Sequence, residues 1–148
     1  MSLTGAIREN TNGDINVGPT TTLTVFAWTK RNSGSGTLVN RWGGGSGSRQ
    51  FLLEVNPAVC QVAICDGAGN DVVAGATTVS TGAWHALALR KNGTGAGALQ
   101  AWLDGVADGS GTSNRTVQSI GNVSQSQFRV GIRSTAGSAY DGLIAHAA

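Results

Sequence analysis

Four tryptophans stand in four short runs of strand-forming residues, Leu23 to Lys30, Thr37 to Trp42, Trp84 to Arg90 and Leu99 to Leu103. Turn-forming Gly, Ser, Asn and Asp punctuate the chain between them. Nowhere do apolar residues keep a helical period for three turns, whereas strand candidates recur every ten to fifteen residues. Period two assigns faces within each run. Leu99, Ala101 and Leu103 oppose Gln100, Trp102 and Asp104; Leu23, Val25 and Ala27 oppose Thr24, Phe26, Trp28 and Lys30. Cys60, Val62 and Ile64 likewise oppose Gln61, Ala63 and Cys65, and Phe128, Val130 and Ile132 oppose Arg129, Gly131 and Arg133. One apolar and one mixed face per strand is how two sheets packed front to front are encoded. The expected class is therefore all-β, a two-sheet antiparallel sandwich.

A chain of 148 residues forms one domain and buries a core without staples. The 23 glycines cluster as turn residues, and Pro19 and Pro57 fall between strands. Charged residues make up only 12% and the net charge is +2, so no long-range field draws in a polyphosphate or an anionic membrane surface. The basic residues are scattered, with the adjacent pairs Lys30-Arg31 and Arg90-Lys91 at expected strand ends. A nucleic-acid partner would need a basic groove, and none is encoded. No run is long and apolar enough for membrane insertion. Cys60 and Cys65 share one expected strand at a separation of about 16 Å, which rules out a bridge between them. Free thiols and the absence of a leader after Met1 lead us to expect synthesis in a reducing cytoplasm. The Asn-X-Ser/Thr matches at Asn92, Asn114 and Asn122 are then read as chance.

The co-linear order of Leu23 to Lys30, Val39 to Trp42, Phe51 to Val55, Asp66-Gly67, Trp84-His85, Ala101 to Gly105, Phe128 to Arg133 and Tyr140 to Ile144 resembles the laminin-G-like, concanavalin-A-like jelly-roll domains. The resemblance runs from about Ile15 onward and implies two antiparallel sheets of about a dozen strands, one curved to a concave face. It also implies a binder of glycans or proteins, with some relatives of the wider fold hydrolysing polysaccharides. Residues 15–148 are expected to form the sandwich, and residues 1–14 an N-terminal arm or first edge segment that pairs with a neighbour in a homo-oligomer. Past Ile144 the chain departs from the pattern, which reads either as a shortened module or as a fragment short of its closing strand.

Catalysis is not expected. Glycoside cleavage needs two carboxylates flanking the bond, yet Glu9 and Glu54 are the only glutamates and Glu54 has Leu52 and Asn56 as same-face neighbours. His85 alternates with Leu87 and Leu89, which reads as a buried, hydrogen-bonded histidine, and His146 lies far away in sequence. The resemblance implies calcium as the metal to consider, and Asp66, Asn70 and Asp71 supply oxygens within one loop. The same residues serve an ordinary turn, and that reading outweighs the metal, so no cofactor is expected. Phe26, Trp28, Trp102 and Gln100 are the candidate ligand-binding residues, because the three rings fall on mixed faces and flat aromatics stack on sugar rings. Burial of these rings under a loop is the alternative. Trp42 and Trp84, at strand ends beside turns, read as core plugs.

An extracellular recognition fold without an export signal is reconciled by assembly onto a particle inside a cell. The expectation is a bacteriophage virion decoration or tail-associated adhesion protein, made in the host cytoplasm, docking to capsid or tail proteins and touching host glycans. The alternatives are a carbohydrate-binding module of a larger secreted, extracellular bacterial protein and, disfavoured, a glycoside hydrolase.

Overall fold

In the computed structural model, residues 20–43, 46–117, 128–133 and 139–148 are described. The arm expected at residues 1–14, Pro19 and the motif at Asn122 lie outside them. The described residues form ten strands and one short 3-10 turn, Ser46–Ser48. They are β1 (Thr22–Arg31), β2 (Gly36–Trp42), β3 (Arg49–Val55), β4 (Val59–Cys65), β5 (Asn70–Thr78), β6 (Trp84–Asn92), β7 (Gly95–Leu103), β8 (Val106–Ser113), β9 (Phe128–Val130) and β10 (Gly142–Ala147).

Two five-stranded antiparallel sheets result, in the orders β10-β1-β6-β7-β8 and β5-β4-β3-β2-β9. The all-β sandwich expected from alternation is what forms. Val25 and Ala27 of β1, Leu87 and Leu89 of β6, and Leu99, Ala101 and Leu103 of β7 enter a core shared with Phe51, Leu53, Val62 and Ile64 of the other sheet. Each Leu or Val so buried contributes about 1.5–3 kcal/mol by leaving water. The alternation in β4 is literal. Cys60 belongs to this central core, whereas Cys65 packs with Trp42, Leu52 and Ala63 in a second cluster on the other side of the same sheet. Both cysteines are buried, and no disulfide joins one to the other.

Where one edge of each sheet meets, β5 packs against β8. The Thr77 backbone N–H donates to the Asp108 carboxylate at 3.0 Å, and a Cβ on Gly109 would strike the backbone of Ala74. Only glycine lets the two strands approach so closely. The C-terminal residues Ala145 to Ala147 belong to β10, which pairs with β1. One expectation needs correction. Phe128, Val130 and Ile132 do not share a buried face: β9 ends at Val130 because Gly131 takes φ +78°, and Val130 and Ile132 are exposed while Phe128 packs against the core.

Candidate functional site

The candidate site is built on the outer face of the sheet that holds β1, β6 and β7. Cross-strand register makes it. Phe26 pairs with Ala88, and Ala88 pairs on its other side with Trp102, so one straight row runs aromatic, small, aromatic. Two strand spacings separate the walls by about 9.6 Å. The next outward residue on β6 is Ala86, opposite Trp28, which keeps the floor low. A pocket of about 350 Å³ results, lined among others by Thr24, Phe26, Ala86, Ala88, Arg90 and Trp102. Gln100 braces one wall: its Oε1 accepts from the Trp102 indole N–H at 3.3 Å and from Arg90 Nη1 at 3.2 Å.

Further along the same face, Trp28 and Trp84 stack with ring centroids 6.2 Å apart and planes 5° from parallel. Both rings are 40% exposed. This corrects the reading of Trp84 as a core plug. Its place next to a turn suggested a lid, but alternation through Leu87 and Leu89 points it outward, where Lys30 is its cross-strand partner. Trp42 is buried as expected. His146 of β10 closes the aromatic stripe, its ring 6.0 Å from that of Phe26. The four residues singled out as ligand-binding, Phe26, Trp28, Gln100 and Trp102, thus share one sheet face. Trp84 and Arg90 were missed, although the alternation of Trp84, Ala86, Ala88 and Arg90 against His85, Leu87 and Leu89 carried the signal.

At the start of β6, His85 Nε2 lies 2.8 Å from Ser80 Oγ and its Nδ1 lies 2.7 Å from Asp104 Oδ2. The Ala86 backbone N–H donates to the other Asp104 oxygen at 2.8 Å. Partial burial works to raise the Asp104 carboxyl, but the Ala86 N–H and His85 outweigh it and hold the group below its ordinary range. The connectivity is that of an acyl-transfer triad. The pocket between Phe26 and Trp102 does not include Ser80, however, and the chain of bonds ties the turn after β7 to the start of β6. The histidine expected at residue 85 to be buried and hydrogen-bonded is hydrogen-bonded but only partly buried.

The Asp66, Asn70, Asp71 loop is closed by hydrogen bonds and a guanidinium. Asp66 Oδ1 accepts from the backbone N–H groups of Ala68 and Gly69, both at 3.0 Å, which makes it a turn residue. Arg115 then enters between the carboxylates, with Nη1 2.7 Å from Asp66 Oδ1 and Nε 2.9 Å from Asp71 Oδ1. Burial works to raise Asp66, but these N–H groups and Arg115 hold it below the usual carboxylate range. Asn70 is exposed. Among the described residues no group of three His, Cys, Asp or Glu side chains is placed to hold a metal ion.

Glu54 sits on the far side of the molecule, on β3. It is buried and accepts from Gln61 Nε2 at 3.2 Å, with Arg133 at 3.9 Å. Burial raises its carboxyl above the ordinary value, opposed by Arg133, Asn56 and Thr37. No described helix is long and apolar enough to cross a membrane.

The sequence model of the concanavalin A-like lectin/glucanases superfamily matches residues 6–148. No curated protein sequence matches the chain. Among solved structures, it is similar to the native heptameric SAP-like pentraxin from Limulus polyphemus, with a TM-score of 0.60 at 11% identity over 89% of this chain and 64% of that one. It is similar also to domain 4 of AbnA, a GH43 extracellular arabinanase from Geobacillus stearothermophilus, solved in complex with arabinotriose, with a TM-score of 0.53 at 18% identity over 86% of this chain and 59% of that one. The chain spans less than two thirds of the length of either structure. At these identities the likeness shows the fold.

Proposed function

The chain belongs to the concanavalin A-like lectin/glucanases superfamily, and from that premise we propose a non-catalytic recognition domain that binds glycans on its aromatic outer face. The row Phe26, Ala88, Trp102 carries this reading. A flat sugar ring presents apolar C–H faces, and two aromatic walls over an alanine floor offer it contact on both sides at little side-chain entropy cost. The braced Trp102 indole is held before any ligand arrives. The similarity to a domain solved with arabinotriose supports a carbohydrate as the ligand class.

Glycoside hydrolysis is disfavoured on this reading because Glu54 lies on the opposite sheet from the slot, surrounded by Thr37, Asn56, Gln61 and Arg133. Calcium is given no part, because Arg115 already occupies the space between the Asp66 and Asp71 carboxylates. The test is retention of the protein on a panel of immobilised glycans, with Trp102→Ala and Phe26→Ala beside it. Retention lost in both variants supports the slot. Retention of nothing, or retention unchanged in Trp102→Ala, removes it.

We place this activity on a bacteriophage particle, as a capsid decoration or tail-associated adhesion domain that docks to a protein lattice. Two buried cysteines on opposite sides of one strand, with no disulfide between them, suit folding in a reducing cytoplasm before display outside, and a surface of low charge suits close packing in an assembly. Mass spectrometry of gradient-purified particles decides it; absence of the chain from them rejects this placement and leaves glycan binding standing.

A further inference from the structure

The outer face carries a second aromatic station and two cations, and together these specify the ligand more narrowly than the slot does. Phe26, Trp28 and Lys30 follow one another along β1 on one face, and Trp84 lies opposite Lys30. From the row of Phe26 to the row of Trp84 is four residues, about 13 Å of strand. That span is longer than a single sugar ring. Contact therefore continues from the slot to the Trp28–Trp84 stack only for a chain of several rings.

Charge marks both ends of this track. Arg90 lines the slot at one end, cross-strand from Thr24 and Gln100, and is exposed; Lys30 stands at the other end beside Trp84. Among the described residues neither is paired with a carboxylate, and no Asp or Glu lines the slot. Asp104, next in sequence to the pocket-lining Gly105, is taken up by His85 and the Ala86 N–H. A guanidinium offers a planar fork that matches a carboxylate, and one of its Nη atoms is already oriented by Gln100.

Resting on the glycan-binding reading above, we propose that this face binds an extended acidic polysaccharide, its rings on the Phe26–Trp102 slot and the Trp28–Trp84 stack and its carboxylates on Arg90 and Lys30. The partner is a polymer of uronate- or sialate-type sugars, gripped along its length and not by a terminal residue. Affinity rises with the number of sugar units up to the span of the track and falls as salt is added, because exposed cations are screened.

The experiment is an array of uronate- and sialate-containing polysaccharides, each printed beside its carboxyl-reduced neutral counterpart and its monosaccharide. The expected result is binding to at least one acidic polymer, weaker by about tenfold or more on its reduced partner, because reduction removes the charge that Arg90 and Lys30 meet. Arg90→Gln with Lys30→Gln removes the acidic preference but leaves residual binding to the reduced polymer. Trp84→Ala lowers affinity for long chains and leaves short ones unchanged. Reduced polymers bound as tightly as acidic ones, or monosaccharides bound as well as polymers, overturn the proposal while glycan binding survives. Silence across the whole array overturns both. Circular dichroism of each variant checks that the sandwich is intact.

Discussion

Tryptophan stands on both outer faces of the sandwich and meets opposite fates. On the β2–β3–β4 side Trp42 is 3% exposed, packed with Leu52, Ala63 and Cys65, and its ring has the guanidinium carbons of Arg49 and Arg133 at 5.1 Å and 5.6 Å from its centroid. On the β1–β6–β7 side Trp28, Trp84 and Trp102 stand among Ala86 and Ala88 and keep open flanks. The rings are the same. What differs is the height of their neighbours: bulky residues and arginines close over Trp42, while alanines leave a trough between the others. A tryptophan becomes core or platform according to the residues across the strand, not according to its own strand.

The strongest way to break this contrast is truncation. Trp42→Ala is expected to cost about 3–5 kcal/mol of stability by opening a cavity in a closed cluster. Trp28→Ala and Trp84→Ala are expected to stay within about 1 kcal/mol. Urea unfolding measures all three, and equal losses would erase the distinction between the faces.

Filling the trough sharpens it. Ala88→Leu adds bulk to the slot floor without touching the core, so glycan affinity is expected to fall by at least about tenfold, or 1.4 kcal/mol, with the melting temperature held. Isothermal titration with whichever glycan the array identifies reads this directly. An unchanged affinity places the ligand elsewhere.

Acid chemistry separates the faces more gently. Burial raises the Glu54 carboxyl, so its ionised form is disfavoured in the folded state. Its contribution to stability is therefore full below the ordinary carboxylate pKa and declines as pH climbs through the raised value. Glu54→Gln is expected to flatten this limb of the stability–pH curve. Asp66 and Asp104, both held low, act in the opposite sense and lose their contribution as pH falls. A curve unaltered in Glu54→Gln refutes the assignment.

The smallest effect is expected at the sandwich edge. Arg115→Ala removes the clamp between Asp66 and Asp71 and is expected to cost about 1 kcal/mol, as partly exposed ion pairs do. The intact protein should melt at one temperature with calcium or with chelator. A chelator-induced drop would show that the guanidinium does not stand in for a cation.

Period-two patterning made the sheets legible, because each residue's face depends only on its own strand. Cys60 and Cys65 fell on opposite sides of β4 as alternation requires, and Gln100 and Trp102 fell outward opposite Leu99, Ala101 and Leu103. The site was legible only in part, because a slot is made by register. Nothing local to Phe26 says that Ala88 and Trp102 complete its row, nor that Trp84 lies beside Trp28. The Asp66 loop shows the same limit. Its metal-like oxygens were visible within six residues of chain, but the guanidinium that bridges them comes from Arg115, 44 positions beyond Asp71.

The two cysteines of β4 have a practical corollary. Burial, with the Asp108 charge adding to it, pushes the Cys60 thiol up to about 12, and Cys65 is sealed on the opposite side. Alkylating reagents therefore meet neither sulfur until the sheet itself opens. The rate at which label is incorporated times the unravelling of the domain, with no probe engineered in.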